Sequence, residues 1–140
     1  MAGYFGIPEI NFLDAVCHVD GEQVILDLGA STITIGGMKA KKLIEGGYDG
    51  KELIIGIRPE DIHEEAAFVN RSRNTVIEGS IYAHEMQGFE FLLYFEYGKN
   101  SLIARTTPRT KYRTGDIVKF AIDEDKIHIF DKETEMAIVH

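Results

Sequence analysis

Residues 53–62 read Leu-Ile-Ile-Gly-Ile-Arg-Pro-Glu-Asp-Ile, and they set a cation, a proline and two carboxylates directly behind an apolar run. Arg58, Glu60 and Asp61 are expected to be displayed at the end of a rigid central strand, where this charged end faces a partner. His63, Glu64 and Glu65 follow and would suit a metal site, although a solvated acidic turn is the plainer reading. The five histidines show no ligand spacing with a second histidine or with the single cysteine. Cys17 and His18 are adjacent, so on a strand they point to opposite faces and cannot form a nucleophile–base pair. Gly36-Gly37-Met38-Lys39 is too short for a phosphate-binding loop and reads as a turn before a helix. Arg105, Arg109, Lys111 and Arg113 bring four cations into nine residues. Only Tyr112 is at hand there to stack a base, so a solvated basic loop is favoured over a nucleic-acid groove.

Composition narrows the classes further. The chain has 140 residues, 44% hydrophobic and 27% charged, as expected of one domain with a real core. A formal net charge of −8 argues against broad affinity for nucleic acid or an anionic membrane. One cysteine excludes an internal disulfide and fits a reducing compartment. The longest apolar run, Leu53 to Ile57, is too short to cross a membrane as a helix. Met1-Ala2-Gly3 reads as an addition outside the domain, which is expected to occupy 4–140.

The elements that must position these residues are mostly strands. Leu53 to Ile57 reads as a strand buried on both faces and stopped by Pro59, which has no N–H to donate and holds Arg58 extended. Ahead of it, 4–10 is an irregular lead-in, and 11–19, 24–28 and 32–35 form a meander around Asp20-Gly21 and Gly29-Ala30. Residues 38–46 are expected to be a helix with Met38, Leu43 and Ile44 on one face, ended by Gly46-Gly47. Residues 61–67 can add a helical turn or two, and 70–73 a polar loop. In 75–85, Ile77, Gly79, Ile81 and Ala83 share a side. In 89–97 the odd positions Phe89, Phe91, Leu93, Phe95 and Tyr97 give a period of two and should face the core. Leu92 and Tyr94 then need cover from the 38–46 helix or a partner. Strands at 102–105, 117–123 and 126–130 complete eight or nine. The expected fold is mainly β, an OB-like Greek-key barrel or sandwich with one short helix. Phe130-Asp131 reads locally as a core phenylalanine with a turn-forming aspartate. No catalytic constellation emerges, and local chemistry stops at a binding or regulatory module.

The succession Gly6-Ile7-Pro8-Glu9-Ile10-Asn11-Phe12-Leu13, Gly56-Ile57-Arg58-Pro59-Glu60-Asp61-Ile62, Gly115-Asp116 and Lys126-Ile127-His128-Ile129-Phe130-Asp131 resembles the C-terminal regulatory domain of ABC importer ATP-binding subunits. The nearest group is the sugar and glycerol-phosphate type, related to the maltose importer ATPase. The resemblance spans nearly the whole chain and implies a TOBE-type fold. It further implies an ATPase core in the same polypeptide that binds ATP and Mg, a second copy of the subunit, membrane permease subunits and a regulatory protein. The setting would be cytoplasmic, peripheral on the inner face of the membrane. The Walker and signature motifs are not in this sequence, so no cofactor and no ATP hydrolysis are expected of these residues themselves. Arg58, Pro59, Glu60 and Asp61 become an interface or regulatory rim, with Phe130 packed beside them and Asp131 nearby. Two other readings are an oxyanion- or small-ligand-binding TOBE module using Arg105 to Arg113, and an OB-type nucleic-acid binder. Members of the family often carry Pro after Phe-Asp and then Thr-Gly; Lys132 and Glu135-Met136 stand there here, which puts a role for Asp131 in question.

Overall fold

The computed structural model describes residues 10–106 and 112–139. The motif residues Gly6-Ile7-Pro8-Glu9, the cations Arg109 and Lys111, and His140 lie outside them. In order, the strands are β1 (Asn11–Asp20), β2 (Gln23–Asp27), β3 (Thr32–Ile35), β4 (Glu52–Ile57), β5 (Ile62–His63), β6 (Val76–Gln87), β7 (Glu90–Tyr97), β8 (Asn100–Thr106), β9 (Ile117–Ile122), β10 (His128–Asp131) and β11 (Ala137–Val139). Two helices, α1 (Gly37–Glu45) and α2 (Ala66–Arg71), join them. The mainly β reading holds, but it foresaw one helix and fewer strands. β5 and β11 are two and three residues long, too short to show a period. The second helix, α2, buries none of its residues, so it carries no apolar stripe to announce it, and Asn70 and Arg71 close it instead of opening a polar loop.

The strands form two antiparallel sheets, ordered β11-β10-β4-β1-β2-β3 and β5-β9-β6-β7-β8. β4 lies in the middle of the first, between β1 and β10. Its Leu53, Ile55 and Ile57 are fully buried, which at about 1.5–3 kcal/mol per side chain makes this strand a principal support of the domain. Leu13, Ala15, Cys17 and Ile129 join them in the core, which is completed by Ile77, Ile81, Leu93, Phe95 and Phe120 of the second sheet. The Phe95 and Phe120 rings stack at 4.0 Å and 13°. A Cβ on Gly79 would stand 2.2 Å from the Phe95 ring, so a strand glycine is required there.

Three side chains depart from the sequence expectation. Met38 is 67% exposed; α1 buries Ala40 and Leu43 and packs Ile44, an i, i+3, i+4 set that takes Ala40 in place of Met38. Phe89 is 96% exposed, because Gln87 pairs with Glu90 and leaves Gly88-Phe89 as a two-residue turn outside the strand period. Ala83 is only half-buried, since a register shift between Ile81 and Ala83 ends the alternation of β6. Leu92 is buried and Tyr94 half-buried, while α1 packs on β2 and β11.

Candidate functional site

The charged end of β4 is displayed as a rigid turn. Arg58 is extended (φ −75°, ψ 147°), the conformation required before proline, and is itself exposed. Pro59 is buried and opens the 3₁₀ turn Pro59–Asp61, where its missing N–H costs nothing. The Asp61 N–H donates to the Arg58 carbonyl at 2.9 Å, and the Asp123 N–H donates to the Asp61 carbonyl at 3.0 Å. The turn is thereby fastened to the end of β9.

Glu60 faces Arg105 at 3.5 Å, and the same guanidinium meets Glu90 at 3.1 Å. Arg105 thus ties three elements together: the Pro59–Asp61 turn, β7 and β8. Burial pushes the Asp61 carboxyl above its ordinary value; Glu60 and Asp123 add to the rise, while Lys126 and His63 oppose it. Arg58, Glu60 and Asp61 line an open cleft of about 440 Å³ together with Asp125, Lys126 and His128. The last three went unrecognised in the sequence. They arrive because β10 pairs with β4 and sets His128 opposite Gly56, a register that no local pattern encodes.

Phe130 and Asp131 belong elsewhere. They pair with Ile54 and Leu53, towards the opposite end of β4. Phe130 is fully buried, its ring 6.3 Å from that of Phe12 and against the bare backbone of Gly56. It therefore packs on β4, its ring over Gly56, two residues before Arg58. Asp131 accepts from the N–H groups of Glu133 (2.9 Å) and Thr134 (3.3 Å), and Tyr48 donates its hydroxyl to it. These bonds shape the turn into β11, the plain turn-forming role. Lys132 reaches Asp14 at 3.5 Å and Glu52 at 3.7 Å.

The remaining candidates resolve into local roles. His63 stacks on Phe68 at 3.9 Å and stands 3.6 Å from Glu65. Among the described residues no group of three or more His, Cys, Asp or Glu side chains could hold a metal ion. Cys17 is fully buried and His18 exposed on the opposite face. Lys39 donates to the Ile127 carbonyl at 3.0 Å, fastening α1 to the start of β10.

Two curled antiparallel sheets on one core, with a charged cleft where the central strand leaves it, define a small OB-like β domain. Residues 55–130 match the TOBE domain model and residues 6–62 the MalK OB fold domain model, and the chain belongs to the TOBE domain family. The two matches overlap on the end of β4 and the Arg58–Asp61 turn. Among curated proteins, the oligosaccharides import ATP-binding protein MsmX of Bacillus subtilis is 38% identical over 138 residues, 99% of this chain and 37% of that protein. The multiple sugar-binding transport ATP-binding protein MsmK of Streptococcus mutans is 33% identical over 138 residues, with 99% and 36% covered. The trehalose/maltose import ATP-binding protein MalK of Thermococcus litoralis is 33% identical over 139 residues, with 99% and 37% covered. The chain spans little more than a third of the length of these relatives. In fold it is similar to the cytoplasmic molybdate-binding protein ModG, with a TM-score of 0.65 at 10% identity, covering 92% of this chain and 96% of that one.

Proposed function

We propose that these residues are the regulatory and dimerisation region of an ABC importer ATP-binding subunit that serves sugars. The supporting observation is the 38% identity with an oligosaccharide-import ATP-binding protein along 99% of this chain and only 37% of that protein. On this reading an ATPase core in the same polypeptide binds ATP and Mg. A second subunit and the membrane permease complete the assembly at the inner face of the membrane. These residues bind and orient: β4 carries the Arg58–Asp61 turn as a stiff rim, and Arg105 holds it against β7 and β8. The oxyanion reading has less support, because Arg105 is already engaged by Glu60 and Glu90. The ModG likeness at 10% identity speaks for the fold alone.

The test is an exchange. This chain replaces the matching region of MsmX, and oligosaccharide-dependent growth of the host is measured. Growth close to that with unaltered MsmX is expected. A chimera that is produced and hydrolyses ATP but does not sustain import contradicts the proposal.

A further inference from the structure

We propose that Phe89 anchors a protein-docking surface beside the Arg58–Asp61 turn, and that its partner presents an apolar pocket rimmed by lysine or arginine. The inference stands on geometry and does not depend on which transporter the chain serves.

β6 runs past its neighbour β9, while β8 accompanies β7 as far as Phe91. β9 pairs with β6 only as far as Ser80, whereas β6 and β7 stay paired to Gln87 and Glu90. The β6–β7 hairpin ends in Gly88-Phe89. Gly88 has φ +63° and Phe89 a negative φ, the pattern of a II′ turn, in which glycine supplies the first central conformation and the second position has no need of an aromatic ring. Yet Phe89 is 96% exposed, and Met86 beside it 55%. A phenylalanine buries roughly 150–250 Å² when it finds a pocket, and this one covers almost nothing in its own fold. Large rings inserted into a partner's pocket carry a disproportionate share of binding energy.

The tip is continuous with the charged turn. Glu90, next to Phe89, shares the Arg105 guanidinium with Glu60. Arg105 therefore fixes the hairpin tip relative to the rim, so an apolar anchor and a charged edge are presented together. Among the described residues that edge carries more acid than base: Glu60, Glu85 and Glu90 are exposed and Asp61 half-buried, against exposed Arg58 and half-buried Arg105. Complementarity calls for cations around the partner's pocket. A second copy of a chain with net charge −8, or an anionic bilayer, meets like charge instead.

The experiment places a benzoyl-phenylalanine photo-crosslinker at position 89 of the full native polypeptide in its own cells, with Lys99, in the turn at the other end of β7, as the control position. Irradiation is expected to join position 89, but not 99, to a different protein, at a peptide of apolar residues flanked by lysine or arginine. With that protein purified, Phe89→Ser is expected to weaken binding about tenfold or more, and to leave the melting temperature unchanged because the ring supports nothing in the fold. No adduct at 89, adducts only with lipid or with a second copy, adducts to an acidic surface, or undiminished binding by Phe89→Ser each overturn the proposal.

Discussion

The Asn11 carboxamide pairs with the main chain of Ile103 as a strand would: its Nδ2 donates to the Ile103 carbonyl at 2.9 Å and its Oδ1 accepts from the Ile103 N–H at 2.8 Å. Nδ2 also donates to the Ile57 carbonyl at 3.1 Å, the last residue of β4. One buried side chain thus joins the two sheets at the point where the central strand releases Arg58.

Asn11→Ala is expected to lower stability by about 2–3 kcal/mol, because backbone groups of Ile57 and Ile103 lose their partner where water reaches them poorly. Asn11→Asp should cost at least as much at pH 7, since a carboxylate then faces two carbonyl oxygens. Urea unfolding measures both. A loss below about 0.5 kcal/mol for Asn11→Ala contradicts a clip that holds the sheets together.

Gly79→Ala should destabilise by about 1–3 kcal/mol, as expected for overpacking, because the new methyl would stand 2.2 Å from the Phe95 ring. Phe95 cannot retreat without leaving its stack on Phe120. Pairing the change with Phe95→Leu should recover part of the loss. Purely additive losses would rule out the steric cause.

The strands around these residues were largely legible. The period of two in Phe91 to Tyr97 and the breaker after Ile57 are local signals with one physical meaning each. The same period misplaced Phe89, because Gly88 turns the chain before the alternation begins; the Gly-x dipeptide was the available sign. The charged turn was also visible, since Pro59 dictates the conformation of its neighbour. The other wall of the cleft, Asp125, Lys126 and His128, depended on the pairing of β10 with β4 across some seventy residues, and Arg105 on the closure of the second sheet. Phe130 was correctly read as core by local chemistry, and strand register, which no local pattern encodes, sets it opposite Ile54.

Asp131→Ala should cost about 1 kcal/mol and loosen β11, since the N–H groups of Glu133 and Thr134 lose their acceptor. Hydrogen exchange at Ala137 to Val139 should quicken selectively. Unchanged exchange there would argue that the turn forms without Asp131.

Asp61 makes a pH prediction with a definite sign. Burial raises its pKa in the folded state above the ordinary 3.8, so the folded protein binds the proton more tightly than the unfolded chain. Its contribution to stability is fully present below about pH 3.8 and is lost as pH rises through the folded value. Asp61→Asn removes this dependence. The variant should be at least as stable as the parent at pH 7, and its relative stability should decline as pH falls towards 4. Thermal unfolding from pH 4 to 8 measures the difference, and an advantage that grows on acidification contradicts the assignment.

The central claim is that these residues form the regulatory part of a longer ATP-binding subunit. Mass spectrometry of the native polypeptide that carries Gly56-Ile57-Arg58-Pro59-Glu60 tests it most directly. The account predicts one continuous chain in which an ATPase core with a phosphate-binding loop precedes this domain. A native protein consisting of these 140 residues alone would contradict it.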